Sequence, residues 1–317
     1  MPTSTLASPI SKVSTPHLTR DLDLTTDEIT ALAALAAQVK RSPRRYVHKL
    51  AGRYLALLFE KPSLRTRVTF ELAIKQLGGD AVFNEFNGRG IGDREPIKDV
   101  ARNLERWVHG IAARTYEQKT IEELARWASI PVINALSDLY HPCQALADFF
   151  TLQEKFGGLR GLKLAFVGDG NNVAHSLMLD GARLGVDMVV ATPAGYEPHT
   201  EIVATAQGLA AASGCTLRLT SDPFEAVDGA HAVYTDVWAS MGQESEARQR
   251  RKAFAPFQVT GRLMAAARPE AVFLHCLPAH RGEEVTDEVI ESAASLVFDQ
   301  AENRLHVQKA LLLMMLS

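Results

Sequence analysis

Short apolar runs alternate with longer segments of helical periodicity from Leu22 to the end of the chain. This alternation is typical of parallel sheets whose faces are covered by helices. The sequence therefore predicts an α/β fold with two doubly wound parallel-sheet domains, joined by helices, and an active site in the cleft between the domains. The predicted strands are Tyr54–Phe59, Ala81–Phe83, Val108–Ala112, Val132–Ala135, Leu162–Val167, Met188–Ala191, Thr216–Leu219, His231–Tyr234, Val272–Leu274 and Leu296–Phe298.

The break between the two domains is expected where Gly157, Gly158 and Gly161 follow a helical segment that begins near Cys143. That helix would bridge the domains. The segment Ala301–Leu316 is also helical by pattern and is expected to return to the first domain. We therefore predict a first domain over residues 1–145, a second over 146–299, and a C-terminal helix at 300–317 that packs on the first.

Composition narrows the class of protein. The 317 residues are enough for two domains of roughly 150 residues each. With 34 Lys and Arg against 37 Asp and Glu, the formal charge is -3, so net charge does not favour binding to nucleic acid or to a membrane surface. The apolar runs are shorter than the roughly 18 to 20 residues of a membrane span, and the first 16 residues lack the features of a signal or transit peptide.

The three cysteines, Cys143, Cys215 and Cys276, are odd in number and widely spaced. This pattern argues against a disulfide framework and for a reducing compartment. A cytoplasmic location is therefore predicted.

The segment from Pro62 to Arg67 follows a predicted strand and precedes a helical pattern that starts at Val68. Ligands of open α/β sheets bind at the carboxyl ends of the strands. Hydroxyls and free amides at a helix N-terminus, together with a guanidinium, suit a phosphate group. A helix cap with solvated arginines is the alternative, and the position after a buried strand favours the anion site.

Three further polar residues follow predicted strands of the first half. Arg114 follows a central strand, and its guanidinium needs a partner there. A ligand anion and an ion pair with Glu117 or Asp138 are equally good interpretations. His141 and Gln144 are expected near the first turn of a helix that begins at Pro142. For each of them, a structural role and a role in ligand binding are both consistent with this position.

The second half offers two more candidate loops. Gly168–Val173 resembles a dinucleotide fingerprint but has Val173 at the third glycine position, which argues against a nucleotide cofactor. The Asn172 amide in this loop suits a carboxylate. Cys276 precedes Leu277-Pro278, and neither His275 nor His280 forms a recognisable zinc spacing with it, so no metal and no cofactor are assigned.

Taken in order along the chain, these motifs resemble those of the aspartate and ornithine carbamoyltransferase family from about residue 17 to the C-terminus. The family's Ser-x-Arg-Thr-Arg phosphate motif is similar to Ser63–Arg67, and its His-Pro-x-Gln motif is similar to His141–Gln144. Asp236, the run Ser240-Met241-Gly242 and the run His275-Cys276-Leu277-Pro278 resemble the ornithine branch.

The resemblance implies a role for each motif residue. Catalytic roles fall to Arg114, His141, Asp236 and Cys276. Ornithine would be bound by Asn172, Asp236, Ser240 and Met241. Leu64 stands where many relatives have Thr, so a hydroxyl contact is lost there and only the backbone amide can bind. Carbamoyl phosphate would be bound by Ser63, Leu64, Arg65, Thr66, Arg114, His141, Gln144, Cys276, Leu277 and Arg304.

The resemblance also implies the activity: carbamoyl transfer from carbamoyl phosphate to the δ-amine of L-ornithine, giving L-citrulline and phosphate, in arginine biosynthesis or catabolism. Putrescine or an N-acylated ornithine is the alternative acceptor. The implied partners are these small molecules, with no nucleic acid or membrane, and other copies of the chain in a homotrimer or an assembly of trimers. The loop Asn87–Lys98 resembles a mobile loop that lies near the adjoining subunit in relatives.

The sequence disfavours two other classes of protein. A catalytically silent subunit that keeps the fold is disfavoured, because the chain has all six of Arg65, Arg114, His141, Asp236, Cys276 and Arg304. A dinucleotide enzyme would bind NAD, which the Gly168–Val173 loop does not favour.

Overall fold

The computed structural model describes residues 11–86, 89–239 and 246–317. Its strands are β1 (Tyr54–Phe59), β2 (Asp80–Glu85), β3 (Gly110–Arg114), β4 (Val132–Leu136), β5 (Lys163–Val167), β6 (Asp187–Ala191), β7 (Leu217–Thr220), β8 (Ala232–Thr235) and β9 (Val272–His275). Its α-helices are α1 (Thr26–Arg41), α2 (Leu64–Gln76), α3 (Ile97–Leu104), α4 (Gln118–Trp127), α5 (Pro142–Phe156), α6 (Asn172–Leu184), α7 (Thr200–Ser213), α8 (Pro223–Val227), α9 (Ala247–Phe254), α10 (Gly261–Met264), α11 (Asp287–Ile290) and α12 (Val297–Leu316).

The strands form two separate parallel sheets, which confirms the predicted α/β class. The first sheet has the order β2-β1-β3-β4 and the second has the order β7-β6-β5-β8-β9. In each sheet the strand order reverses beside the first strand, between β1 and β3 and between β5 and β8. Such switch points leave a crevice at the carboxyl ends of the strands, where ligands of doubly wound sheets bind.

Helix α5 connects the two lobes. It begins with Pro142 at its first turn, and it ends at Gly157, whose left-handed φ of 77° suits a residue without a Cβ. One face of the helix packs in the core of the first lobe through Leu146 and Phe150. Its opposite face packs in the core of the second lobe through Phe149, so a single rigid element carries side chains into both.

The prediction of a strand at Leu296–Phe298 was wrong. The chain pairs with β9 only through an isolated bridge at Ser295, and α12 begins at Val297. The short apolar run lies between the bridge and the buried start of the helix. Periodicity alone does not distinguish a short buried strand from a buried helix end. The other predicted strands are present, with ends that differ by up to two residues.

Helix α12 returns to the first lobe. Val307, Leu311 and Met314 lie in the same core as Leu55 and Phe59 of β1. Within the described ranges, every helix is too short or too polar to cross a lipid bilayer.

Candidate active site

A cavity of about 820 Å³ lies between the two lobes, at the carboxyl ends of both sheets. Nearly every site residue predicted from the sequence lines it. Ser240 and Met241 lie outside the described residues, so their placement stays a prediction. The predicted residues in the cavity wall are Ser63, Leu64, Arg65, Thr66, Arg114, His141, Gln144, Asn172, Asp236, Cys276, Leu277 and Arg304.

Three arginines, Arg65, Arg114 and Arg304, line the first-lobe side of the cavity. Burial, together with the nearby charges of Arg304 and Arg65, lowers the pKa of Arg114 to about 10. Burial is also the main reason that the pKa values of Arg65 and Arg304 are lowered. Because like charges in a poorly solvated space repel one another, this side of the cavity is built to receive an anion.

The structure distinguishes the two interpretations of Arg114, a ligand anion and an ion pair with Glu117 or Asp138. Arg114 is the last residue of β3, and only 8% of its surface is exposed. Among the described residues, no carboxylate lies within the 4.0 Å of an ion pair, and its buried Nε has no hydrogen-bond partner. Asp138 instead accepts a hydrogen bond from the backbone of Gln118 at 2.7 Å. The geometry therefore favours a ligand anion over either ion pair.

Arg304 is held in place by side chains from two helices. Its Nη2 donates to Thr66 Oγ1 at 2.9 Å, and its Nη1 donates to Gln144 Oε1. The amide of Gln144 in turn donates to Asp148 Oδ1 at 2.7 Å. A guanidinium fixed at two nitrogens presents a rigid set of donors.

His141 is a neutral hydrogen-bonding group. Burial, and then the charges of Arg304 and Arg114, hold its pKa well below the ordinary histidine value. Its backbone N–H donates to Ser176 Oγ at 2.8 Å, while its buried Nδ1 has no partner. A neutral imidazole at this position can act as a donor or as an acceptor, depending on the tautomer.

Ser63 is the N-cap of α2, and its Oγ accepts a hydrogen bond from the backbone of Thr66 at 3.3 Å. The alternative of a helix cap is therefore correct for Ser63. It is also compatible with an anion site, because the first amides of a helix remain available to a ligand. The Leu64 side chain is 74% exposed, so the backbone is the part of Leu64 suited to bind an anion.

The second-lobe side of the cavity carries a carboxylate in place of guanidiniums. Asp236, which follows β8, accepts a hydrogen bond from Asn171 Nδ2 at 2.8 Å and another from Cys276 Sγ at 3.0 Å. Burial, and then Asp236, raise the pKa of Cys276 well above the ordinary thiol value. Cys276 is therefore a thiol that donates a hydrogen bond, and Asp236 is available to a cationic or amine ligand.

Two family models match the chain over almost its full length. Residues 16–154 match the carbamoyl-P binding domain of aspartate/ornithine carbamoyltransferase, and residues 160–315 match the Asp/Orn binding domain. The chain belongs to the aspartate/ornithine carbamoyltransferase family. The first matched range contains strands β1 to β4 and the second contains β5 to β9, and residues from both ranges line the cavity.

Individual family members are similar to this chain over more than nine tenths of its length. "Ornithine carbamoyltransferase, anabolic" from Pyrococcus furiosus is 53% identical over 295 residues, which are 92% of this chain and 93% of the relative. A solved ornithine carbamoyltransferase from Pyrococcus furiosus superposes with a TM-score of 0.92 at 50% identity and covers 98% of this chain and 99% of that chain. An acetylornithine transcarbamylase complexed with acetylcitrulline has a TM-score of 0.86 at 32% identity, covering 95% of this chain and 99% of that chain.

Asn172 has a partner that the sequence did not indicate. Its Nδ2 donates across the cavity to the carbonyl of Ser137 at 2.6 Å, so it ties the second lobe to the first. The neighbouring Asn171 is the N-cap of α6 and also supports Asp236. Sequence reasoning missed Asn171, although an Asn before a helical pattern is a cap signal.

The buried carboxylate of Asp148 was also missed. It accepts hydrogen bonds from Gln144, from Gln300 Nε2 at 2.6 Å and from the hydroxyl of Tyr234 at 3.1 Å. Burial raises its pKa to about 7. Its position one helical turn after Gln144, on a helix buried from both sides, is the signal that would have found it.

Two groups of side chains could offer ligands to a metal ion: Asp236, His275 and Cys276, and also His280, Glu283 and Glu284. In the first group the thiol is held protonated, and Cys276 and Asp236 already bond to one another. A zinc site would need the thiolate. The absence of a metal and of a cofactor stays a prediction.

Proposed function

We propose that the protein is an enzyme that transfers the carbamoyl group of carbamoyl phosphate to the δ-amine of L-ornithine, which gives L-citrulline and phosphate. The observation that carries the proposal is a single cavity with two chemically opposite sides. One side holds Arg65, Arg114 and Arg304, and the other holds Asp236 and Cys276. The family membership and the names of the relatives support the same reaction.

The first lobe binds the dianionic substrate. Arg65 and the amides at the start of α2 hold the phosphate, with Ser63 and Thr66 as further polar contacts. The anionic substrate supplies the counter-charge that Arg114 lacks among the described residues, and Arg114 donates hydrogen bonds to it. These assignments rest on the burial of Arg114 without a carboxylate partner and on the repulsion among the three guanidiniums.

The carbonyl group lies between Arg114 and His141 in this proposal. As the amine attacks, negative charge develops on the carbonyl oxygen, and preorganised donors lower the energy of that state. Arg114 and the neutral imidazole of His141 are such donors. Gln144 orients Arg304 and completes this half of the site.

Ornithine enters from the side of the second lobe. Its δ-amine resembles that of lysine, with a pKa of about 10.4 in water, and it is nucleophilic only when neutral. Desolvation beside three guanidiniums disfavours the ammonium form. Asp236 and Cys276 orient the amine, its nitrogen bonds to the carbonyl carbon, and the bond from that carbon to the phosphate oxygen breaks. The departing phosphate accepts the amine proton, so no protein base is required.

The acceptor is tested by incubating the protein with carbamoyl phosphate and a panel of amines. We expect citrulline from L-ornithine, and at least about 100-fold lower kcat/KM with putrescine or N-acetylornithine, because each lacks one charged group of ornithine. Full activity with either alternative and none with ornithine would reject the assignment.

Two arginine variants link that activity to the cavity. Arg65→Ala should abolish turnover while the fold persists. Arg102→Ala should leave it within about three-fold, because Arg102 packs over the ring of Trp127 at 4.7 Å, outside the cavity.

The domain assignment follows from the same proposal. Residues 1–145 with the helix at 300–317 form the carbamoyl phosphate half, and residues 146–299 form the ornithine half. A cytoplasmic location is supported by the three cysteines, which are free.

The proposed assembly is a homotrimer or a group of trimers. An apolar stripe on α2 supports it: Leu64, Val68 and Leu72 recur every fourth residue and are 74%, 40% and 41% exposed. Val82 on the edge strand β2 is 59% exposed, and Arg67 joins the two elements by lying over the ring of Phe83 at 3.8 Å. Exposed apolar side chains on a helix and on a neighbouring edge strand support contact between protein chains.

The loop that resembles the relatives' mobile loop is proposed to lie near the adjoining subunit, and Glu60 holds its described part, residues 89–98, next to the end of β1. This buried carboxylate accepts hydrogen bonds from the backbone of Ile91 and of Tyr116, both at 2.7 Å. Asn87 lies outside the described residues.

Light scattering after size exclusion tests the assembly. We expect a mass of three times, or a multiple of three times, the 34.6 kDa of one chain. Leu72→Glu should shift the protein to monomers, because a charge would be desolvated in the interface. Leu219→Glu is the matched control, since Leu219 is 39% exposed on β7 in the other lobe. A wild-type monomer would refute the trimer.

A further inference from the structure

Glu284 is a buried carboxylate that lies outside the wall of the cavity. It is fully inaccessible to solvent, and no lysine or arginine in the described ranges lies within ion-pair distance of it. Its Oε1 accepts a hydrogen bond from the backbone of His280 at 2.6 Å and lies 3.2 Å from His275 Nε2. A buried acidic group without a strong cation is costly, so its retention calls for a reason.

The tautomer of His275 follows from its second nitrogen. The backbone N–H of Leu277 donates to His275 Nδ1 at 2.8 Å, so Nδ1 carries a lone pair and no proton. The ring proton of the neutral imidazole is then on Nε2, where it donates to Glu284. A carboxylate that fixes the tautomer of an imidazole also fixes the plane of its ring.

The backbone amide that donates to His275 belongs to Leu277, whose backbone conformation is unusual. Leu277 has a φ of 57°, in the left-handed region that a bulky residue rarely adopts. Leu277 lines the cavity, and the preceding residue is Cys276, whose thiol donates to Asp236. The hydrogen bond to His275 therefore holds the backbone turn that presents Cys276 and Leu277 to the cleft.

We propose that Glu284 and His275 are positioning residues of the transferase, which act on the reacting groups only through the backbone of Leu277. The inference rests on the proposed function. Glu284 selects the tautomer, His275 accepts the Leu277 amide, and the turn keeps the Cys276 thiol and the Leu277 carbonyl at the amine side of the cavity. Neither residue touches substrate in this arrangement.

Paired substitutions separate this role from simple packing. In Glu284→Gln the side-chain oxygen still accepts from His275 Nε2 and from the His280 amide, so kcat should fall by less than about five-fold. Glu284→Ala leaves the imidazole free to change tautomer, and kcat should fall about 10- to 100-fold. The Asn oxygen of His275→Asn can accept the amide two residues on, as in an Asx turn, whereas His275→Leu cannot. The Asn variant should therefore retain at least about five-fold more activity than the Leu variant.

The control is Val285→Ala, which removes buried apolar volume from the residue next to Glu284. It should lower the melting temperature by as much as Glu284→Ala does, with kcat within about three-fold of wild type. The role is overturned if Glu284→Ala and Val285→Ala reduce kcat equally at equal loss of stability, or if His275→Leu is as active as His275→Asn.

A second measurement does not depend on turnover. The ¹⁵N shifts of His275, assigned by comparison with His275→Asn, should show protonated Nε2 and unprotonated Nδ1 in wild type and in Glu284→Gln. Glu284→Ala should show a mixture or the opposite tautomer. If wild type makes no citrulline but shows this tautomer pattern, the proposed function fails and the tautomer selection by Glu284 stands. A protonated Nδ1 in wild type overturns the inference directly.

Discussion

Replacing Arg114 with methionine is expected to stabilise the fold and to abolish turnover. Arg114 is a buried cation without a carboxylate partner in the described structure, and two further guanidiniums repel it. Its lowered pKa means that the folded protein disfavours the charged form. An apolar side chain removes that penalty, so the free energy of unfolding should rise by about 1 to 3 kcal/mol. The loss of the counter-charge and donor should reduce kcat by at least about 100-fold.

Thermal unfolding without ligand measures the gain in stability. The melting temperature should rise by about 2 °C for each kcal/mol gained in the free energy of unfolding. The second experiment adds a stable mimic of carbamoyl phosphate such as phosphonoacetamide. A ligand at 100 times its dissociation constant stabilises by about 2.7 kcal/mol, and this protection should be present in wild type and absent in Arg114→Met.

Arg183 provides the matched control, because it is a buried arginine that has partners. It donates to Asp180 at 2.5 Å and to the carbonyl of Asp21 at 2.6 Å. Arg183→Met would leave a buried acidic group uncompensated and should cost about 3 to 5 kcal/mol. If Arg114→Met is instead destabilised as strongly as Arg183→Met, then Arg114 has a structural role and the ligand-anion interpretation is wrong.

The fold was predictable because each buried strand of a doubly wound sheet is a short apolar run between turn signals. Strand β1, with the sequence Tyr-Leu-Ala-Leu-Leu-Phe, is buried from its second residue to its last. Its position could therefore be predicted from its own apolar residues, without knowledge of the strands beside it. The start of α12 could not be located in this way. Val297 is buried beside a bridge to β9, and a run of three apolar residues has the same pattern in a strand and in a buried helix end.

The residues of the cavity were predictable where a motif follows a strand, as Arg65 and Arg114 do. Residues that act through another side chain were harder to find. Asp148 and Glu284 carry no motif of their own, and their roles depend on which donors the tertiary fold brings within hydrogen-bond distance. The sequence was ambiguous for Arg114 for the same reason, since only three-dimensional packing decides whether Asp138 reaches it.

Asp236→Asn is expected to separate the two halves of the reaction. Asp236 is the acceptor for both Asn171 and Cys276. Burial lowers the pKa values of Arg65 and Arg114, and the charge of Asp236 across the cavity offsets a small part of that lowering. An asparagine keeps the size and one acceptor but removes the charge. We expect kcat/KM for ornithine to fall by about 100- to 1,000-fold, because the amine loses its orienting carboxylate.

Affinity for phosphonoacetamide should move in the opposite direction in the same variant. Removing a negative charge near Arg65 leaves the cationic side of the cavity more attractive to an anion, so binding should be unchanged or a few-fold tighter by calorimetry. Asp138→Asn is the control, since it removes the same charge from the same cavity at a carboxylate already bonded to the Gln118 amide. It should leave kcat/KM for ornithine within about three-fold of wild type. Joint loss of anion binding and turnover in Asp236→Asn would mean that the carboxylate maintains the whole cavity, and that the division of the site into an anion side and an amine side is wrong.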